Sequence, residues 1–173
     1  MIRFYNTLPG KIEDFRPLRP GEVGLYTCGP TVYDYPHIGN YRAYIFEDIL
    51  KRFLIFSGFK VTHVMNITDV DDKTIKGANA LGVSLNEYTK KYIDAFFEDI
   101  KVLRILPADH YPRATEHIED MVRMIKGLLD KGYAYFKDGS VYFNLARFPD
   151  YGKLSKIDKE ELKAGARVET DEY

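Results

Sequence analysis

Two apolar segments separated by one amphipathic helix constrain the fold of this chain more than any other feature. Residues 23–28 are predicted to form a short strand, and residues 60–67, rich in β-branched side chains, a second one. Between them, apolar residues recur at helical spacing at Ile45, Phe46, Ile49, Leu50, Phe53 and Leu54. Two strands joined by such a helix are typical of a parallel βαβ unit with a right-handed crossover. We therefore expect an α/β fold.

The chain after Thr68 shows a different pattern. Two more amphipathic helices are predicted, through residues 93–103 and 118–129. Beyond them, two strand-like segments flank Asp138-Gly139, a pair typical of a tight hairpin. Antiparallel strands after a parallel unit indicate an inserted module. We expect the first half of a Rossmann-like parallel sheet in residues 1–110, and part of a connective α+β insertion, truncated, in residues 111–173.

Composition limits the classes of protein to which the chain can belong. Its 173 residues, 45% of them hydrophobic, suffice for one substantial core. No apolar run approaches the roughly 20 residues needed to cross a bilayer, so we expect no membrane association. A single cysteine excludes an internal disulfide, and the first residues lack a signal-peptide pattern, so a cytoplasmic location is expected. The net charge of -1 neither supports nor excludes nucleic-acid binding.

The segment from Gly29 to Asn40 has the composition of a ligand-binding loop. In a parallel sheet, the loops at the carboxyl ends of strands lead into helix N-termini, whose free N–H groups favour phosphate. Gly29 and Gly39 permit close approach of the backbone to a ligand, and His37 adds a donor for a phosphate or a purine. Neither the Walker motif nor the dinucleotide glycine fingerprint is present.

Four segments together resemble one known family. They are CGPTVYDYPHIGN at residues 28–40, NITDVDDKTIKGA at 66–78, RAT at 113–115 and GAR at 165–167. In this order and spacing they are similar to the cysteinyl-tRNA synthetases, which are class I aminoacyl-tRNA synthetases. The resemblance implies ATP-dependent activation of L-cysteine as an adenylate, with Mg²⁺, followed by transfer to tRNA(Cys). It also implies an enzyme that is a monomer when full-length.

The resemblance assigns roles to residues of the first loop. Cys28 matches a ligand of the Zn²⁺ that binds the substrate thiol, since Zn²⁺ favours thiolate sulfur. His37, Gly39 and Asn40 match the ATP-binding signature, with His37 and Asn40 in the catalytic role, although Asn40 replaces a commoner second histidine. The residues expected to bind substrate are Gly29, Thr31 and Thr68.

Several of these residues also have a purely structural interpretation. A lone cysteine is usually a small apolar side chain, His37 can cap a helix, and Thr68 can bond the local backbone. Three acidic residues lie close together at Asp69, Asp71 and Asp72. They lack the glycine and the distal glutamate of a calcium-binding loop, so we expect them to cap a helix or to orient a loop. The histidines expected to be structural or on the surface are His63, His110 and His117.

Parts of the family pattern are missing from this chain. Further zinc ligands and a KMSKS-type loop are not found, and residues 153–156 resemble that loop only superficially. We therefore expect a catalytic-domain fragment that is inactive alone, with the remaining zinc ligands outside this chain. Two alternatives stay open: a cysteine ligase of mycothiol synthesis, which passes cysteine to an amino sugar, and a non-enzymatic nucleotide-binding module.

Overall fold

The computed structural model describes residues 2–156, and within them strands and helices are combined in one chain, as the α/β prediction requires. Asp71 and Ser84 begin two of the helices as N-caps, each inside a capping box. The elements are β1 (Arg3–Asn6), β2 (Lys11–Asp14), β3 (Glu22–Thr27), α1 (Ile38–Phe56), β4 (Lys60–Met65), α2 (Asp72–Leu81), α3 (Leu85–Val102), α4 (Ile118–Asp130), β5 (Ala134–Lys137) and β6 (Ser140–Phe143).

The predicted βαβ unit is confirmed. β3 and β4 pair in parallel, in a register that runs from Glu22 opposite Lys60 to Thr27 opposite Met65, and α1 connects them. The helix begins at Ile38, which places Gly39 and Asn40 in its first turn. The prediction that the strand-to-helix loop extends to Asn40 is therefore wrong, because the cap at His37 starts the helix earlier than the apolar periodicity indicates.

A further extended segment lies beside β4. Met65 N donates to His110 O at 3.0 Å, and Ile67 N donates to Pro112 O at 2.9 Å. Isolated parallel bridges pair Val64 with His110 and Ile67 with Arg113. Residues 110–113 therefore extend the sheet on the side of β4 away from β3, which apolar periodicity alone did not predict because the segment contains no apolar run.

The core of the parallel unit forms where α1 and α3 pack on the sheet. Phe96 of α3, fully buried, contacts Tyr44 of α1 edge-to-face at a centroid distance of 5.4 Å. The two core clusters are Tyr41, Tyr44, Met65, Phe96, Ile100 and Ile105, and Val32, Ile67, Tyr92 and Ile93. The predicted apolar face of α3 is thus confirmed at Ile93, Phe96 and Ile100, whereas Leu103 at the helix end is half-exposed.

The acidic group after Thr68 has structural partners. Asp71 caps α2, its carboxylate accepting from Lys73 N at 2.9 Å and Thr74 N at 3.0 Å. Asp69, only 4% exposed, accepts from the backbone and the hydroxyl of Thr115 at 2.9 and 2.6 Å. Both arrangements agree with the expected capping and loop orientation. α2 itself was not predicted, because its ten residues carry few large apolar side chains.

Two compact units are found within the described residues. One consists of residues 17–122, and the other of residues 2–16 and 123–156. The second unit contains two antiparallel hairpins, β1–β2 and β5–β6. The β5–β6 turn is the predicted one, with positive φ at Asp138 (50°) and Gly139 (83°). The predicted domain division at residue 110 stays a prediction, and the GAR segment at 165–167 lies outside the described residues.

No helix within residues 2–156 is long and apolar enough to cross a membrane.

Candidate functional site

A cleft of about 350 Å³ opens where β3 ends and α1 begins. It lies in the unit formed by residues 17–122. Its lining consists of Gly29, Pro30, Thr31, Tyr33, Asp34, Tyr35, Pro36, His37, Asn40, Tyr44 and Lys73. Four of the predicted site residues are thus brought together there: Gly29, Thr31, His37 and Asn40. The predicted site residues that do not line it are Cys28, Gly39 and Thr68.

His37 caps α1 through a reciprocal arrangement with Asn40. His37 Nδ1 accepts from Gly39 N at 3.0 Å, and His37 N donates to Asn40 Oδ1 at 3.0 Å. Because Nδ1 accepts, the neutral ring carries its proton on Nε2, which is left as a donor. Asn40 likewise keeps its amide NH₂ as a donor. The capping role and a ligand-binding role are therefore compatible, since they use different atoms.

Gly39 is required by that cap. A Cβ placed on Gly39 would lie 2.7 Å from Cε1 of the His37 ring and 3.0 Å from its Nδ1. Only glycine therefore lets the imidazole fold back over the first turn of α1. This gives Gly39 a structural role in shaping the site, and its expected contact with ATP stays a prediction.

The start of the loop is fixed to the segment that follows β4. Thr68 N donates to Pro30 O at 3.0 Å, and Val32 N donates to Thr68 O at 3.1 Å. Gly29 N donates to Asn66 Oδ1 at 3.1 Å, and a Cβ on Gly29 would lie only 1.8 Å from Asn66 O. Two backbone hydrogen bonds at Thr68 therefore hold this wall of the cleft in place. The close approach of the two segments is possible only because Gly29 has no side chain.

The side chain of Thr68 is also engaged locally. Its hydroxyl oxygen accepts from Asn66 Nδ2 at 3.1 Å, and Thr31 pairs with Thr68 in an isolated parallel bridge. Thr31 is the member of this pair that lines the cleft. Substrate binding by Gly29, Thr31 and Thr68 stays a prediction.

Cys28 follows the last residue of β3 and is exposed. It lies close enough to Tyr44 to influence it: burial first, then the charges of Glu47 and Cys28, raise the pKa of Tyr44 to about 12. Within residues 2–156, no group of three or more His, Cys, Asp or Glu side chains could hold a metal ion. The described residues therefore offer a single thiolate, which does not fit a zinc site on its own.

Behind Cys28, a buried polar cluster joins β3, α1 and β4. Thr27 Oγ1 lies 2.9 Å from His63 Nε2, and Glu47 of α1 lies close enough for Thr27 to lower its pKa slightly against the effect of burial. Burial lowers the pKa of His63, assisted by the charge of Lys51, and burial raises the pKa of Glu47. His63 is 2% exposed, in agreement with the structural role expected for it.

Lys73 and Tyr44 are among the cleft residues that sequence reasoning missed. Lys73 Nζ lies 4.4 Å from the ring centroid of Tyr33, across the mouth of the loop. Lys73 belongs to the NITDVDDK segment, one of the segments on which the resemblance rests, and this position in a motif could have identified it as a candidate site residue. Tyr44 is only 4% exposed. In the sequence it cannot be distinguished from the other aromatic residues of an amphipathic helix.

Comparisons with known proteins identify the family of this chain. The family of class I (C) tRNA synthetase catalytic domains matches residues 14–173. Cysteine--tRNA ligases from Protochlamydia amoebophila and Chlamydia pneumoniae are 55% and 57% identical to this chain over 99% of its length. The matched region is 37% and 36% of those proteins, so the chain spans about a third of their length.

The fold of this chain is also similar to that of a solved tRNA synthetase structure. The leucyl-tRNA synthetase in a ternary complex from Agrobacterium radiobacter is 23% identical, with a TM-score of 0.59 over 70% of this chain and 16% of that one. At this identity the similarity concerns the fold alone. The family match, which covers most of the sequence, is the stronger finding. This chain belongs to the family of class I (C) tRNA synthetase catalytic domains.

Proposed function

We propose that this chain provides the nucleotide-binding part of an enzyme that activates L-cysteine with ATP and transfers it to tRNA(Cys). The observation that carries the proposal is the cleft in which His37 and Asn40, at the N-terminus of α1, face Gly29 and Thr31 at the end of β3. Relatives more than half identical to the chain carry the name Cysteine--tRNA ligase, which favours tRNA over an amino sugar as the acceptor.

The proposed first step is attack of the cysteine carboxylate on the α-phosphate of ATP, which releases pyrophosphate. His37 Nε2–H and the amide of Asn40 donate hydrogen bonds to the phosphate oxygens, and the N-terminus of α1 adds its positive dipole. Their contribution is to hold the phosphate in line and to stabilise charge that develops during transfer. Both donors are preorganised because the cap fixes each side chain through its other polar atom.

Zinc and the cellular setting are further parts of the proposal. Cys28 would offer one thiolate to Zn²⁺, with the other ligands from outside this chain, and no step here is assigned to the metal. Mg²⁺ enters with ATP as part of the substrate. A chain with a single cysteine suits a reducing compartment, so we place the enzyme in the cytoplasm, as a monomer when full-length.

The test is a chimaera in which this chain replaces the matched segment of the Protochlamydia amoebophila ligase. We expect cysteine-dependent exchange of pyrophosphate into ATP, no exchange with serine, and cysteine attached to tRNA(Cys). Exchange without tRNA charging, but with transfer to an amino sugar, would favour the mycothiol-type ligase. Nucleotide binding without any exchange would favour a non-enzymatic module and contradict the proposal.

A further inference from the structure

Lys73, in the first turn of α2, brings a positive charge to the cleft. It is the one lysine or arginine among the cleft's lining residues, and Asp34 is the one carboxylate. Asp34 Oδ1 accepts from Tyr35 N at 2.8 Å. Among residues 2–156, no ion pair is found for Lys73, whereas the helix lysines Lys51 and Lys90 pair with Asp109 and Asp94. The ammonium group is therefore available to a ligand.

An aromatic ring holds Lys73 in place without using its donors. Nζ lies 4.4 Å from the centroid of the Tyr33 ring, a cation–π distance. This contact positions the ammonium group over the ring face, while N–H groups on its other side can point into the cleft. A lysine side chain ordered in this way before binding loses less conformational entropy when the ligand arrives.

The position of Tyr33 is itself fixed from α3. Tyr88 Oη donates to the backbone oxygen of Tyr33 at 2.7 Å. The Tyr88 ring fits against α2 only because residue 77 is glycine: a Cβ there would lie 2.2 Å from Tyr88 Oη. Gly77, Tyr88, Tyr33 and Lys73 thus form a continuous series of contacts that returns to the helix from which Lys73 extends.

We propose that Lys73 binds a phosphate group of the nucleotide in this cleft, and that Tyr33 and Tyr88 are positioning residues for it. The identity of the nucleotide as ATP rests on the proposed function. His37 Nε2 and Asn40 Nδ2 supply neutral donors to the same cleft, so a polyphosphate would meet one cation and two hydrogen-bond donors. A lysine ammonium group, a compact point charge, is a common partner for phosphate.

The experiment is calorimetric titration of the 173-residue chain with magnesium-ATP, inorganic tripolyphosphate and L-cysteine. We expect Lys73→Gln to weaken the binding of both phosphate ligands about tenfold or more, because a charge-assisted hydrogen bond is lost. Lys73→Arg, which keeps the charge, should retain most of the affinity. The matched control is Lys76→Gln, one turn later on α2, exposed and outside the cleft, which should bind as the parent does.

The positioning role has its own test. Tyr33→Leu removes the ring and should weaken tripolyphosphate binding several-fold, and Tyr33→Phe should restore it, since the ring face is what contacts Lys73. Tyr88→Phe removes the hydroxyl that bonds to Tyr33 O and should weaken phosphate binding in the parent. The same Tyr88 change in the Lys73→Gln background should have no further effect, a result that general loss of stability would not produce.

Three outcomes would overturn the inference. One is equal phosphate affinity of parent and Lys73→Gln, and a second is a parent chain without measurable affinity for either phosphate at millimolar concentration. The third is a loss confined to L-cysteine, which would assign Lys73 to the amino-acid carboxylate. Failure of cysteine-dependent exchange in the chimaera, with phosphate binding intact, would contradict the proposed function and leave the role of Lys73 standing.

Discussion

The imidazole of His63 and the hydroxyl of Thr27 share a buried hydrogen bond of 2.9 Å, directly behind the exposed thiol of Cys28. His63 N also donates to Asp109 Oδ2 at 2.7 Å, so the strand is held from both sides. The second ring nitrogen, Nδ1, is buried without a hydrogen-bond partner among the described residues. A ring in this setting is more stable neutral than charged, because burial disfavours the imidazolium more than the nearby carboxylates of Asp109 and Asp48 favour it.

The first prediction is that acid destabilises the fold through His63. Its pKa is lowered from 6.5 by burial and by the nearby Lys51, against smaller opposing effects of Asp109 and Asp48. The unfolded chain then binds more protons, so stability is fully present above about pH 6.5 and is lost as the pH falls through the folded pKa. Glu47, whose raised pKa comes from burial, acts in the opposite direction, with stability lost as the pH rises.

The measurement is urea unfolding of the chain at several pH values between mildly acidic and neutral. His63→Gln can still bond to Thr27 but does not titrate, so its free energy of unfolding should lose the acid-dependent decrease. His117→Gln, at an exposed histidine, is the matched control and should keep the parent's slope. Identical pH profiles for the parent and His63→Gln would show that His63 does not carry the effect.

The second prediction concerns the backbone contact at Gly29. Gly29→Ala forces a Cβ to within 1.8 Å of Asn66 O, so the loop or the end of β4 must move. We expect a loss of about 1–3 kcal/mol in unfolding free energy, together with weaker nucleotide binding. Gly24→Ala in β3 meets no atom within 4 Å and should leave both unchanged or slightly improved. The idea is wrong if both alanine variants behave alike.

The third prediction separates the two roles of His37. Asparagine is a good N-cap, so His37→Asn should retain the start of α1 and the melting temperature. It lacks the donor at the position of Nε2, and we expect the chimaera's exchange rate to fall by roughly a hundredfold. His37→Ala should lose both stability and activity. Full exchange activity in His37→Asn would mean that the histidine acts only as a cap.

The fourth prediction is that the 173-residue chain does not activate cysteine by itself. A stable zinc site needs about four ligands, and Cys28 brings only one thiolate. We expect no stoichiometric zinc after dialysis and no cysteine-dependent pyrophosphate exchange, while the chimaera shows both. Bound zinc, measured by atomic absorption, together with exchange by the chain alone would refute this expectation.

The parallel βαβ unit could be predicted from the sequence because buried strands and amphipathic helices repeat apolar residues at their own periods. The hairpin at Asp138-Gly139 was predictable because its turn requires residues that tolerate positive φ. α2 and the segment 110–113 could not be predicted in this way, because neither has a pattern of apolar residues. α2 is fixed by its N-terminal cap, and the segment 110–113 is fixed by backbone hydrogen bonds to Met65 and Ile67; neither kind of interaction leaves an apolar period in the sequence.

What the sequence determined by itself is local: the two strands of the parallel unit, the later hairpin, and a motif that brings His37, Gly39 and Asn40 together within four residues. Lys73 lies 33 or more positions away from these residues, and its place in the cleft was decided by tertiary structure. Packing of α2 and α3 against the loop brings Tyr88 onto Tyr33 and thereby Lys73 over the ring. The physical reason is that side-chain contacts between distant segments depend on packing in three dimensions, which no periodicity along the chain records.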